Sequence, residues 1–459
     1  MKLNIAVFAV TVSICFFAFD AHAVRFMFDP QLYVAEKYTD NVFLTEDDEE
    51  DDFITELSAG FTASLQTKTS GLELSAFPTY AWYSEFSENN SWRLPADLHL
   101  YTRPSQHTRI YFRDRFLRTE DPEGIQNLRV LQGRVEEIGD TTRRRGRENY
   151  YRNAAELGAN HSFGRDDQVY SRFSYGILRN DDDELYEDND YYRAGAGLDY
   201  WLTHMFGLQS YLEYTKGDYE TPDDFVDNTS DDFDNYRGTI RLLGRLTRHS
   251  SFFLQYEHIY REFSDDSEDY AIYAPSAGYY YEFDRDTFVR LGLGFYYQDR
   301  ENDGSEEEFF LEGELSKTWD YRRGYINLTG LSGLTQNDFG AQTPGFQRFA
   351  AIDGEGEYRF TRRFAGYIGS YLRYSETPLV TGTGDEDEQT GQGIFSVDVR
   401  YLVTPWMLLS AGYAFSYYES DVYEDYRENR GLLAVSFQPG RTRDISGADI
   451  DRPFRRFRF

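Results

Sequence analysis

The stretch from Tyr236 to Phe263 constrains this chain most. Read in steps of two, one row carries Tyr236, Gly238, Ile240, Leu242, Gly244 and Leu246. The other carries Arg237, Thr239, Arg241, Leu243, Arg245 and Thr247. After the polar break Arg248-His249-Ser250-Ser251 the alternation resumes, with Phe252, Leu254, Tyr256, His258 and Tyr260 against Phe253, Gln255, Glu257, Ile259 and Arg261. Period two marks β-strands, whose successive side chains point to opposite faces. The stretch is a hairpin with one apolar wall and one wall rich in arginine. Each strand has about ten to twelve residues, the length a tilted strand needs to cross a bilayer.

Composition narrows the field. A chain of 459 residues has room for two or three soluble domains, but 18% of it is aromatic while the net charge is −33. No run after the first two dozen residues approaches the roughly eighteen apolar positions of a membrane helix. So many aromatic residues also argue against disorder. A polar average with many aromatics and fine alternation fits a transmembrane barrel. The acidic balance makes nucleic acid a poor partner, since phosphate binding needs a basic surface.

Met1 to Ala23 reads as a secretory leader, with Lys2, an apolar middle from Ile5 to Phe19, and the cleavage site Ala21-His22-Ala23. Cleavage is expected after Ala23. A membrane anchor is the weaker reading, because the apolar run is short and stops at Asp20. Lipoprotein processing fits poorly, because Ile14 before Cys15 is large. Cys15 is the chain's one cysteine, so no disulfide or Cys-based metal site is expected after cleavage. Export and a barrel pattern together point to a bacterial outer membrane.

Two kinds of connection alternate along the rest. Short ones carry Thr before Arg, His or Pro, as in Thr102-Arg103-Pro104, Thr203-His204, Thr247-Arg248 and Thr361-Arg362-Arg363. Longer ones are acidic, as in residues 46–52, 181–190, 221–234 and 301–308. The pattern predicts strands near 30–38, 53–67, 72–86, 92–103, 108–119, 149–163, 168–179, 191–202, 206–216 and 235–247. It continues with 252–263, 270–283, 288–299, 309–319, 324–335, 348–360, 364–375, 392–403, 407–418 and 426–438. The expected fold is all-β, a single transmembrane antiparallel barrel of about twenty strands over residues 24–438, with short periplasmic turns and long acidic extracellular loops. Eighteen strands remains an alternative, because Pro30 weakens the first. A β-sandwich shows the same alternation, but strand length, near-equal hairpins and aromatic strand ends favour the barrel. Residues 439–459 form a basic tail, read as a disordered periplasmic extension or a docking peptide for an acidic partner.

Leu57, Ala59, Phe61, Ala194, Ala196, Leu291, Leu293 and Val397 are expected to face lipid. Candidate pore-lining residues are Arg193, Arg237, Arg241, Arg245 and Arg290 on earlier strands, and Glu312, Glu314, Glu355, Asp398 and Arg400 on later ones. In a closed barrel the basic and acidic groups would face each other across the lumen and set up a transverse field. The alternative is that these charges pair to stabilise a wet interior. Tyr211, Tyr296 and Tyr371 are expected inside, as stacking faces for sugar rings.

Tyr38-Thr39-Asp40-Asn41-Val42-Phe43-Leu44-Thr45, followed by Asp52-Phe53-Ile54 and Ala59-Gly60, resembles the opening of the β-barrel porin family found beside exopolysaccharide gene clusters. The Tyr-Arg strand starts and Thr-Arg turns are similar as well, so the likeness runs over about residues 30 to 438. The resemblance implies an outer-membrane conduit for secreted polysaccharide that works with a periplasmic polysaccharide-export protein. It brings no catalytic residues.

No enzyme motif is present, no cofactor motif is found, and no metal site is assigned. Asp223-Asp224 and Asp227-Asn228 offer oxygen ligands but lack calcium-loop spacing. Expected contacts are outer-membrane lipid, lipopolysaccharide and, during biogenesis, the barrel-assembly machinery. The leading reading is exopolysaccharide secretion. The alternatives are a general or small-solute porin, and a non-conducting barrel serving as receptor, adhesin or assembly scaffold.

Overall fold

A computed structural model describes residues 24–121, 129–131, 134–136, 146–181, 188–220, 232–264, 268–284, 287–300, 305–337, 345–377, 388–421 and 424–439. The leader with Ala23, nearly all of the basic tail and most of the acidic loops lie outside the described residues.

Twenty antiparallel strands follow one another round a single sheet. They are β1 (Arg25–Thr39), β2 (Asp52–Gln66), an interrupted β3 (Ser70–Ala76 and Thr79–Tyr83), β4 (Ser91–Thr102) and β5 (Thr108–Thr119). Next come β6 (Tyr150–Ser162), β7 (Gln168–Asn180), β8 (Asp188–Trp201), β9 (Phe206–Glu220) and β10 (Phe233–Arg245). Then follow β11 (Ser250–Phe263), β12 (Tyr270–Asp284), β13 (Thr287–Arg300), β14 (Ser305–Tyr321) and β15 (Gly324–Asn337). The last are β16 (Gly345–Arg359), β17 (Phe364–Thr377), β18 (Glu388–Thr404), β19 (Met407–Ser420) and β20 (Tyr426–Phe437). β1 pairs with β2 on one side and with β20 on the other, from Leu32↔Phe437 to Thr39↔Arg430, which closes the barrel. Closure removes the exposed edges that an open sheet leaves unpaired.

The count of twenty holds. Two details differ from the sequence expectation. The first strand begins at Arg25 rather than residue 30. Pro30 is tolerated because the stretch before Leu32 pairs with β2 alone, where a missing donor breaks no second ladder. The expected strand 72–86 is broken at Phe77–Pro78 and ends at Tyr83, since Pro78 has no N–H to give.

Alternate residues separate cleanly. On β11, Phe253, Glu257, Ile259 and Arg261 are buried, while Phe252, Leu254, Tyr256 and Tyr260 are exposed. Leu57, Leu291, Leu293 and Val397 lie on exposed outer rows, and Glu56, Glu312, Glu314, Asp398 and Arg400 on buried inner ones. The facing follows the expected register. A one-residue slip would exchange every pair of faces, and a charge at mid-belt facing lipid costs about 2–4 kcal/mol. Tyrosines such as Tyr192, Tyr236, Tyr260 and Tyr273 flank the outer belt on the side of the long loops, where an aromatic girdle meets the interface. A polar pair sits on the outer row: Asn153 Nδ2 donates to Asp114 Oδ1 at 2.5 Å, so the two groups satisfy each other.

Candidate functional site: the lumen and its long-loop mouth

The inner rows build two charge patches on the wall. In the first, Arg237 meets Glu257 at 2.7 Å, Arg241 meets Glu312 at 3.2 Å, and Arg290 meets Glu314 at 3.3 Å and Glu312 at 3.7 Å. Arg241 Nε also donates to Gln255 Oε1 at 2.7 Å, and Ser276 Oγ donates to Glu312 Oε2 at 3.2 Å. In the second, Asp398 and Arg400 lie 3.7 Å apart, the Arg400 guanidinium sits 5.4 Å from the Tyr367 ring centre, and Tyr367 Oη donates to Glu355 at 3.2 Å. Arg193 stands apart on β8, 3.6 Å from Glu213 and over the Tyr191 ring. Arg245 lies near the short turns, stacked 4.1 Å from the centre of Trp201 and 3.7 Å from Asp166.

These contacts correct one expectation. Arg241 and Arg290 do not oppose Glu312 and Glu314 across the lumen. They touch them, because β10 to β14 are consecutive staves of the same wall. Such pairing leaves short-range dipoles in place of a field spanning the pore. Tyr296 is also unavailable as a stacking face. It is fully buried, and its hydroxyl donates to Glu306 at 2.7 Å.

The least expected feature is the first long connection, residues 40–51, which folds inward. Asp40 and Asn41 staple the seam between the first and last strands. Asn429 N donates to Asp40 Oδ1 at 2.7 Å and Asn429 Nδ2 to Asp40 Oδ2 at 2.6 Å. Asn41 Nδ2 donates to the carbonyls of Thr45 at 2.7 Å and Arg427 at 3.0 Å, while its Oδ1 accepts from Thr45 N at 3.0 Å. Val42 then buries against Ile54, Ala81 and Tyr83 on inner rows, and Leu44 against Tyr418 and Tyr426. Leu44 adopts a φ of 57°, a left-handed conformation costing about 1–2 kcal/mol for an L-residue, which its buried side chain offsets. Arg147 Nε donates to Val42 O at 2.7 Å and Gly146 N to Phe43 O at 3.2 Å, so a second loop clamps the first from above.

Beneath the clamp lies a buried charge network. Arg93 meets Glu56 at 2.5 Å and Glu120 at 2.5 Å; Lys37 meets Glu56 at 2.7 Å. Tyr83 Oη donates to Glu120 at 2.8 Å, and Arg147 pairs with Asp121. Three cations and three carboxylates therefore neutralise one another. Burial would raise the pKa of Glu120 and of Asp121, but the nearby guanidiniums, Arg93 for Glu120 and Arg147 with Arg93 for Asp121, outweigh it and hold both below the usual carboxylate range. Sequence reasoning missed Arg93, Glu120 and Arg147. The motif Asp40-Asn41-Val42-Phe43 marked the place without revealing its role.

The fold is that of an outer-membrane β-barrel. The chain is similar to a mutant of the ferric enterobactin receptor (PfeA) from Pseudomonas aeruginosa in complex with enterobactin, with a TM-score of 0.51 and 10% identity over 90% of this chain and 81% of that one. A second mutant of the same receptor aligns with a TM-score of 0.50 and 9% identity over 90% and 80% of the two chains. OpdQ from the same organism aligns over 90% of this chain and 98% of its own, with a TM-score of 0.39 and 9% identity. No protein-family model matches the chain, and no curated protein matches its sequence.

Proposed function

We propose that the chain is an outer-membrane channel for hydrophilic solutes, with its short turns toward the periplasm, and that its cargo is a secreted polysaccharide. The observation that carries the channel reading is the closed barrel with a charged, polar inner row and an apolar outer belt. The cargo rests on the sequence resemblance described above. In this reading the leader delivers the chain to the periplasm, the assembly machinery inserts it among lipid and lipopolysaccharide, and a periplasmic export protein hands polymer to the short-turn mouth.

A second reading has its own support. The inward-folded residues 40–45 occupy part of the long-loop mouth, which suits a non-conducting barrel that serves as a mount. Planar-bilayer recording separates the two: stepwise conductance supports the channel, and a silent, correctly inserted barrel supports the mount. A strain lacking the protein tests cargo. Loss of surface polysaccharide with normal sugar uptake supports export, whereas impaired uptake with intact polysaccharide supports a small-solute porin.

A further inference from the structure

Four tyrosines line the wall toward the short-turn mouth. Tyr101 on β4 is the direct cross-strand partner of Tyr111 on β5, and Tyr170 on β7 and Tyr211 on β9 flank Gly197 of β8. Each ring lies across a glycine of the adjoining strand. A Cβ added at Gly71 would stand 2.5 Å from the Tyr101 ring, one at Gly158 2.3 Å from Tyr111, and one at Gly197 2.2 Å from Tyr170. One at Gly195 would stand 2.4 Å from the Tyr211 hydroxyl. Only glycine lets the rings lie so flat. One side of each ring lies against the backbone of the adjoining strand. Tyr170 and Tyr211 are stacked with centroids 6.1 Å apart and planes 21° from parallel.

Aromatic cover of strand glycines is itself a stabilising device. The arginines add something it does not require. Arg109 sits 5.7 Å from the Tyr101 centroid and 5.9 Å from that of Tyr111, Arg113 lies 5.3 Å from Tyr111, and Arg172 lies 5.8 Å from Tyr211. Glu213 tethers Arg172 at 2.7 Å, and Glu156 faces Arg113 in register. Arg109 is exposed, and among the described residues its contacts are the two tyrosine rings, with no carboxylate partner. From β4 to β9 the shelf crosses five strand spacings, about 24 Å along the wall.

We propose that this shelf binds an anionic saccharide, with sugar rings laid on the tyrosine faces and their carboxylates met by Arg109, Arg113 and Arg172. Aromatic faces offer broad apolar contact for the C–H side of a pyranose, and a guanidinium fork matches a carboxylate. The length of the shelf suits an oligomer better than a single ring. The proposal rests on the channel reading only for how the ligand arrives.

Calorimetric titration of the detergent-solubilised barrel, with hexagalacturonate as probe and maltohexaose as the neutral comparison, tests the site without requiring conductance. Hexagalacturonate should bind and maltohexaose should bind at least tenfold more weakly. Arg109→Gln should weaken hexagalacturonate at least tenfold, Arg109→Lys less, and Tyr111→Ala should weaken it while Tyr111→Phe does not. Faster gel migration of the unheated barrel reports folding for each variant. Absence of hexagalacturonate binding, equal affinity for the two oligomers, or a folded Arg109→Gln barrel with unchanged affinity overturns the proposal. A silent bilayer would overturn the channel reading and leave the binding result standing.

Discussion

The two ends of the lumen solve the problem of interior charge differently. At the long-loop mouth, Lys37, Glu56, Arg93, Glu120, Asp121 and Arg147 are packed under the first loop and neutralise one another at short range. Toward the short turns, Arg109, Arg113 and Arg172 lie against tyrosine rings; Glu213 holds Arg172 at 2.7 Å, and Arg109 is the exposed one of the three. The first arrangement spends its charges on holding one geometry. The second leaves the Arg109 guanidinium exposed over two tyrosine rings. Burial separates them: a buried ion pair must be matched nearly completely, whereas a half-exposed arginine over a ring retains water as an alternative partner.

The largest expected effect comes from breaking the matched end. Arg93→Ala leaves Glu120 without its counter-charge and Glu56 with Lys37 alone, and removing one member of a buried pair costs about 3–5 kcal/mol. Urea unfolding of the refolded barrel should show a much lower midpoint. Arg109→Gln at the other mouth should leave the midpoint nearly unchanged. Equal shifts in the two variants would erase the distinction between the ends.

Acid should probe the same difference more gently. Glu120 and Asp121 have pKa values below the usual carboxylate range in the folded barrel. Their contribution to stability is therefore complete above the unfolded value, about 4, and is lost as pH falls through the depressed folded values. Between pH 7 and about 5 the unfolding midpoint should change little on their account, and the loss should begin only below about 4. Subtracting the profile of Glu120→Gln from that of the parent isolates the contribution of Glu120. A difference that is flat down to pH 2 would remove Glu120 from the account of how the mouth is held.

The contrast between the ends also explains what could be read from the chain beforehand. Strand number and facing were legible because alternation is imposed residue by residue, and each error would put a charge into lipid. Arg237 and Arg241 announced their facing through Ile240 and Leu242 beside them. Where a loop goes has no such periodic signature. The inward fold of residues 40–45 depends on Asn41 reaching Arg427 and on Arg147 reaching Val42, across separations of 386 and 105 residues. The partners of Arg241 were misjudged for a related reason. Alternation reports which face a side chain takes, and wall neighbours depend on how strands are seated beside one another. The tyrosine shelf needed the same information, since Gly158 and Tyr111 are far apart in sequence.

The smallest effect concerns the wall between the two ends. Arg241 was a pore-lining candidate, with pairing inside a wet lumen as the alternative, and its contacts show why its loss should be mild for stability. Glu312, its partner at 3.2 Å, also has Arg290 at 3.7 Å and the Ser276 hydroxyl at 3.2 Å. Arg241→Gln therefore leaves Glu312 a counter-charge and a donor, and the stability cost should be well below that of Arg93→Ala. The removed positive charge nevertheless lines the lumen, so in a conducting barrel the reversal potential under a salt gradient should shift toward cation preference. The double variant Arg241→Gln/Arg290→Gln strips both arginines from Glu312 and should exceed the sum of the single stability losses. Additive losses would mean that the two arginines serve Glu312 independently, and the patch would then be a set of separate pairs instead of one shared site.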